Sequence, residues 1–346
     1  MTDAVAQFNT APTVAIIGLG GCGINLVRRT VAAHPFVSDF ATVRYFDASS
    51  ANASFNKADV GIIGDGHGSG KERPKLRKEI GQHLAGLDVR TIAEADVYIL
   101  VFSLSGASGN TIATYFIEAL KKSDKAVVAI AVGDNASLKA VRNTLASLET
   151  LHNLSSNNNF ALPISFFYNG FGQPVVDTQV PSRISDIVKL LTFPAKQVDL
   201  RDRVGWVTGS REARGGIKLL STIAAIDGSV PEVLSSEVSA RNAKAFDSIL
   251  TMGVVDPNNK GSSISPKDTH GKPVVMLFEG LFVQQSLPEG LSIEPMQGVI
   301  TSSDETLGMM ISDLSRQKTA MEAATSTDSS LGKLFGNTNS GSTFAD

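Results

Sequence analysis

Three glycine clusters with hydroxyl or amide neighbours carry most of the chemistry in this sequence. Gly20, Gly21 and Gly23 flank Cys22 and lead to Asn25; Gly68, Ser69 and Gly70 lead to Lys71; Ser105, Gly106, Ala107, Ser108 and Gly109 lead to Asn110 and Thr111. Glycine removes the Cβ barrier to close backbone approach, successive N–H groups at a helix start attract an anion, and hydroxyls add donors. That chemistry suits phosphate. Two carboxylates, Asp199 and Asp202, stand three residues apart in Gln197-Val-Asp-Leu-Arg-Asp. Such a pair suits orienting a water or a cation, and helix capping accounts for it equally well on composition alone.

Each cluster needs a strand and a helix to aim it. Val97–Phe102 is apolar on both faces, as in a strand covered on both sides of its sheet, and Asn110–Leu120 reads as the helix after the turn. Val14–Ile17 is a strand running into the first glycine cluster, with a helix starting near Asn25. Val43–Phe46 is a strand ending at Asp47, an acid suited to a ribose hydroxyl or to a magnesium-bound water. The middle cluster is no Walker P-loop: the first glycine of G-x-x-x-x-G-K would fall at Asp65, and Glu72 stands where Ser or Thr is needed. Ala126–Val132, ending at Gly133 and Asp134, and Ile164–Tyr168 are further strands, with a helix over Ser137–Leu151 between them. Alternating strands and helices predict a doubly wound parallel sheet whose ligand lies along the strand C-terminal edge.

Beyond this, Val180, Ile184, Ile187, Val188 and Leu191 mark a helix with one buried stripe from Asp177, stopped by Pro194. Ile217, Leu220, Ile223 and Ala224 predict an amphipathic helix, Val274–Val283 a strand or strand pair, and Leu307–Met321 a C-terminal helix. After Thr325 the chain turns to Ser, Gly, Asn and Thr, a tail expected to order only on a partner.

Composition narrows the classes. The 346 residues are 42% hydrophobic, enough for a large core, and 31 Lys+Arg against 34 Asp+Glu give a net charge of −3. No broad basic field points to direct nucleic-acid binding or to an anionic membrane. No apolar run approaches the ~20 residues that span a bilayer. The N-terminus lacks a signal-peptide layout. The single cysteine, Cys22, excludes an internal disulfide and fits a reducing cytoplasm. The five histidines show no metal-ligand spacing, so no protein metal site is expected.

Taken together, these motifs resemble the tubulin/FtsZ family of polymerising GTPases. Gly18-Leu-Gly-Gly-Cys-Gly-Ile-Asn25 is similar to the family's first glycine loop. Ser105-Gly-Ala-Ser-Gly-Asn-Thr111 resembles a degenerate G-G-G-T-G-[ST]-G signature, and Gln197–Asp202 sits where the family carries its N-x-D-x-x-D catalytic loop. The run Val97–Gly109 is most similar to phage-encoded tubulins of the PhuZ type. The motifs cover Thr13–Trp206.

The resemblance implies a tubulin/FtsZ-like fold: a Rossmann-like GTPase domain over 1–176, a central helix and catalytic loop over 177–203, a smaller α+β domain over 204–325, and a flexible tail over 326–346. It implies GTP or GDP bound with Mg²⁺, the metal held by phosphate oxygens and water. Gly20, Gly21, Cys22, Gly23 and the Ser105–Asn110 loop would wrap the phosphates, with Gly68, Ser69 and Gly70 near the γ-phosphate. Asp47 would face the nucleotide, and Asn25 and Asp177 would read the guanine. Asp199 and Asp202 would reach the nucleotide of the next subunit, so that hydrolysis is activated in trans on polymerisation. The expected partner is the chain itself, in a head-to-tail homopolymer, in phage relatives a spindle that positions phage DNA in the host cytoplasm.

Departures from the family pattern also carry expectations. Ser105, Ala107 and Ser108 replace signature glycine or threonine, Gln197 replaces the usual Asn, and the tail, with Asp328, Lys333 and Asp346, is not acidic, which makes Leu334 and Phe335 its anchors on a neighbour. Two alternatives stay open: a Rossmann-type enzyme using a dinucleotide or an adenylate, and a nucleotide-binding filament subunit without turnover.

Overall fold

The computed structural model describes residues 11–53, 59–68, 73–85, 88, 92–169, 173–192, 204, 207, 216–222, 248–251, 297–301, 312 and 314–324. Within them the doubly wound sheet is present. Strands β1 (Val14–Leu19), β2 (Ala41–Asp47), β3 (Val60–Ile62), β4 (Val97–Ser103), β5 (Ala126–Gly133), β6 (Ala161–Tyr168) and β7 (Gly216–Thr222) run parallel, and β8 (Ser248–Thr251) and β9 (Gln297–Thr301) add an antiparallel edge. The order is β3-β2-β1-β4-β5-β6-β7-β9-β8. The chain therefore reverses its direction of winding between β1 and β4, which places the switch-point crevice at the ends of those two strands.

Alternation along the strands builds a core on each face. Val14 and Ile16 of β1 pack with Leu26 and Val27 of α1 (Gly20–Ala33) and with Val180 and Ile184 of α6 (Gln173–Thr192). Ala15 and Ile17 point the other way. They join Ile80 of α3 (Arg73–Leu84), Phe116 of α4 (Ser108–Lys122) and Leu148 of α5 (Leu138–Asn157). A four-residue helix, α2 (Val37–Phe40), precedes β2. Every residue of β5 is buried, as a strand with helices on both faces must be.

Helix ends follow local chemistry. Ser137 caps α5, its hydroxyl accepting from the Ala140 N–H at 3.2 Å. α1 begins at Gly20 rather than near Asn25, because the loop glycines themselves form its first turn. The central helix begins at Gln173, ahead of Asp177, and carries Pro181 inside it.

One expected element is overturned. Ile217 and Leu220, expected on an amphipathic helix, lie in strand β7 (Gly216–Thr222), paired to β6 and to β9, while Ile223 and Ala224 lie outside the described residues. A short apolar run satisfies both periods, and here pairing partners decided the outcome. β3, β8 and β9 were not anticipated; they are three to five residues long. The C-terminal helix is described over residues 314–324, with Leu314 buried in the core beside α5. Strand β7 pairs in parallel with β6, and most of the region expected as a second domain over 204–325 lies outside the described residues. Pro194, the strand expected over Val274–Val283 and the tail from 326 lie outside the described residues.

Candidate functional site

Strands β1 and β4 each end in a turn that opens directly into a helix. The residues before α1 and α4, Leu19 and Ala107, make no side-chain capping bond, and neither helix has an acidic residue in its first turn. The first N–H groups of both helices thus lack partners within the helix. Gly20 has φ +67°, and a Cβ built on it would lie 2.8 Å from the Gly109 nitrogen, while one on Gly109 would run into the Leu19 carbonyl oxygen. The two turns pack backbone against backbone at the switch point.

Between β4 and α4 the chain is drawn into a tight loop. Leu104 N–H donates to the Val132 carbonyl at 2.8 Å. The Ser103 hydroxyl accepts from the N–H groups of Ser105 (3.2 Å) and Gly106 (3.3 Å) and lies 3.0 Å from the Ser105 hydroxyl. The Ser103 and Ser105 hydroxyls are thus brought together at this turn.

A cleft of about 520 Å³ runs along this edge of the sheet, a size suited to a small-molecule ligand. Its centre is formed by Gly20, Gly21 and the 105–109 loop. On the β2 and β3 side stand Asp47, Ser49, His67 and Gly68; on the β5 and β6 side stand Asp134 and Asn169. Asp47 is 1% exposed and its Oδ1 accepts from the N–H groups of Ala48 (2.7 Å) and Ser49 (3.3 Å). Gly68 N–H donates to the Ala48 carbonyl at 2.9 Å, tying the two loops together at that end. Asn169 is different: its Oδ1 is buried without a partner.

Gly20, Gly21, Cys22, Asp47 and Gly68 line the cleft, as does the loop from Ser105 through Gly109. Four other expected residues stand outside the lining. Gly23 is buried and faces the sheet, where a Cβ would collide with the Val101 carbonyl. Asn25 is exposed on α1. Asp177 pairs with Arg29 at 3.3 Å, joining α6 to α1. Asn110 is 0% exposed, and neither its amide nitrogen nor its oxygen has a partner. Ser69, Gly70, Asp199, Asp202, Leu334 and Phe335 lie outside the described residues.

The sequence reading assigned no role in the site to Ser49, His67, Asp134 or Asn169. Asp134 and Asn169 directly follow β5 and β6, and position at a strand C-terminal end was the available signal. Ser49 and His67 are joined by an isolated bridge between two loops, which only the fold reveals.

Charge is divided along the cleft. Burial, with the carboxylates of Asp177 and Asp134 adding to it, pushes the Cys22 thiol up to about 12. A neutral thiol is neither a nucleophile nor a metal ligand at physiological pH. The glycine-rich centre offers N–H groups to an anion, whereas Asp134 and the Asn169 oxygen offer acceptors to a ligand's donors. Among the described residues no group of three His, Cys, Asp or Glu side chains is placed to hold a metal ion. No helix among them is long and apolar enough to cross a membrane.

No protein-family model matches the sequence. The chain is 28% identical over 141 residues to a phage tubulin-like protein of Pseudomonas phage phiKZ, covering 40% of this chain and 43% of that relative. It is 23% identical over 198 residues to the phage tubulin-like protein of Pseudomonas phage 201phi2-1, covering 56% and 61%. The matches thus span about half the length of the curated relatives. In three dimensions the chain is similar to TubZ of Bacteriophage PhiKZ, solved as a protofilament, with a TM-score of 0.70 at 20% identity over 96% of this chain and 95% of that one. It is equally similar to the phage tubulin PhuZ bound to GDP, with a TM-score of 0.70 at 18% identity over the same shares.

Proposed function

We propose that this chain, a tubulin/FtsZ-like protein related to the phage tubulins, binds a guanine nucleotide in the cleft between β1 and β4 and assembles head-to-tail into filaments that hydrolyse it. The observation that carries this reading is the meeting of two uncapped helix starts, backbone to backbone at Gly20 and Gly109, in a cleft whose lining also holds the buried, unpartnered Oδ1 of Asn169. Buried polar atoms without partners are rare in folded proteins, and a polar ligand accounts for them.

The parts suit a nucleoside di- or triphosphate. Gly20, Gly21 and the Ser105–Gly109 loop bring backbone N–H groups and hydroxyls to the centre of the cleft, where phosphates are best held. The Asn169 oxygen, buried on the β6 side, suits the N1 and N2 donors of guanine; the resemblance assigns that role to Asn25 and Asp177, which stand outside the cleft lining. Gly68 stands at the opposite end of the lining, and the resemblance assigns it, with Ser69 and Gly70, to the terminal phosphate. A bound GTP would supply the phosphoanhydride bond for cleavage, and Mg²⁺ would rely on phosphate oxygens and water, since no described cluster of three His, Cys, Asp or Glu side chains is placed to hold it.

Within this reading Asp199 and Asp202 act on the nucleotide of the adjoining subunit, orienting the attacking water. Catalysis of phosphoryl transfer is mostly positioning and charge stabilisation, so a site completed by a second subunit ties hydrolysis to assembly. The contact is heterologous and does not close, which yields filaments. A phage spindle that positions DNA in the host cytoplasm is the role the resemblance implies, with Leu334 and Phe335 anchoring the tail on a neighbour. The dinucleotide-enzyme alternative draws on the first glycine loop and Asp47, but it gives no role to the Ser103–Thr111 loop or to the Asp199 and Asp202 pair.

Equilibrium binding of fluorescent GDP, in competition with GTP, ATP and NAD, tests the ligand assignment. Displacement by GTP at concentrations far below those of ATP or NAD is expected; preferential displacement by NAD or ATP would contradict it.

A further inference from the structure

Helix α5 contributes no residue to the cleft lining among the described residues, yet two of its side chains reach the loop that does. Asn143 Nδ2 donates to the Ser105 carbonyl at 3.0 Å. The Ser147 hydroxyl, fully buried, lies 2.6 Å from the Leu104 carbonyl and 2.6 Å from the Asn143 carbonyl. The two carbonyls at the start of the loop are thereby turned toward α5.

Peptide planarity converts this into a statement about donors. The C=O of one residue and the N–H of the next point in opposite directions across the rigid peptide unit. With the Leu104 and Ser105 carbonyls held by α5, the N–H groups of Ser105 and Gly106 face the other way. There they converge on the Ser103 hydroxyl at 3.2 and 3.3 Å, at the cleft wall. The 105–106 peptide is anchored at both ends, its carbonyl by Asn143 at 3.0 Å and its N–H by the Ser103 hydroxyl at 3.3 Å, and without Asn143 only the longer bond remains. Turned over, the peptide would present a carbonyl oxygen to an anion.

We propose that Asn143, supported by Ser147, is a positioning residue that locks the loop with the Ser105 and Gly106 N–H groups on the cleft side, where they hold the Ser103 hydroxyl at the wall of the nucleotide site. The proposal rests on the reading that the cleft binds a phosphorylated ligand. It assigns to α5, outside the glycine loops, part of the control over affinity.

Full-length Asn143→Ala, Asn143→Asp and Asn143→Gln variants test it by two readouts. The first is the Kd for fluorescent GDP. Asn143→Asp is isosteric but replaces the donor by a carboxylate facing a carbonyl, so a loss of about tenfold or more is expected, as great as for Asn143→Ala. Asn143→Gln keeps an N–H donor and recovers part of the loss. The second readout is amide hydrogen exchange at Ser105 and Gly106 without nucleotide, expected to speed up in the Ala and Asp variants with the global melting transition unchanged. Wild-type affinity and unchanged exchange in Asn143→Asp would overturn the proposal. Faster exchange in the variants, with no GDP binding by the wild type, would uphold the loop lock and overturn the nucleotide reading instead.

Discussion

Gly20 and Gly109 touch backbone to backbone, so that a Cβ on Gly20 would come within 2.8 Å of the Gly109 nitrogen. This contact closes the switch point between β1 and β4 and leaves no room for a side chain. Gly109→Ala drives a methyl into the Leu19 carbonyl, and backbone cannot swing aside as a side chain does. A loss of about 1–3 kcal/mol is expected, together with loss of GDP binding. Gly106→Ala is the control: its Cβ meets only Ser103 at 3.7 Å, so stability changes by less than about 0.5 kcal/mol. Chemical denaturation with and without GDP separates the two.

Cys22 offers a clean chemical probe, since it is the one cysteine in the chain. Burial first, then the carboxylates of Asp177 and Asp134, favour its neutral form and raise its pKa to about 12. At pH 8 the thiolate is then about one part in ten thousand, against roughly a quarter for an ordinary thiol. Alkylation at pH 8 is expected to be about a thousandfold slower than in the unfolded chain, and slower again with GDP bound. Rapid modification of the folded protein at pH 8 would contradict this.

Asn169 is expected to act on ligand binding and not on folding. Its Oδ1 is buried without a partner, so Asn169→Ala removes a group that costs free energy in the ligand-free state. Melting without nucleotide should hold steady or rise, while GDP affinity falls about tenfold. A drop in stability with unchanged affinity would make Asn169 a structural residue.

The C-terminal helix is held by packing more than by charge. Leu314 is 4% exposed in the core beside α5, so Leu314→Ala is expected to cost about 2–4 kcal/mol. Arg142 and Glu322 pair at 2.6 Å, but both side chains are substantially exposed, and water and salt screen such a pair. The hydrogen bond from Arg142 holds the Glu322 carboxyl below its usual range. Its folded pKa is thus depressed, and the small stability it adds is present above the unfolded value and fades as pH falls through the folded one. Glu322→Gln should leave the melting curve at pH 7 nearly unchanged.

Local patterns disclosed much of this fold and part of the site. Strands such as β4 and β5, buried on both faces, announce themselves as unbroken apolar runs. β7 did not, because Ile217 and Leu220 fit a helical stripe as well as a strand, and its partners β6 and β9 are distant in sequence. Ser105–Gly109 and Gly20–Cys22 were legible because glycine spacing reports backbone approach directly. Asn169 and Asp134 were hidden for the opposite reason: an amide or a carboxylate after a strand is common, and only the strand order brings these two beside the glycine loops. The Asp177 pairing with Arg29 likewise depends on how α6 packs against α1.

Under the proposed function, nucleotide turnover requires a subunit interface. Phosphate release per subunit, followed across protein concentration with GTP and paired with sedimentation, tests it most directly when repeated with Asp202→Ala. A threshold concentration for both turnover and pelleting is predicted in the wild type, with sedimenting but inactive polymer from the variant. Turnover per subunit that is independent of concentration, or hydrolysis unaffected by Asp202→Ala, would contradict the account.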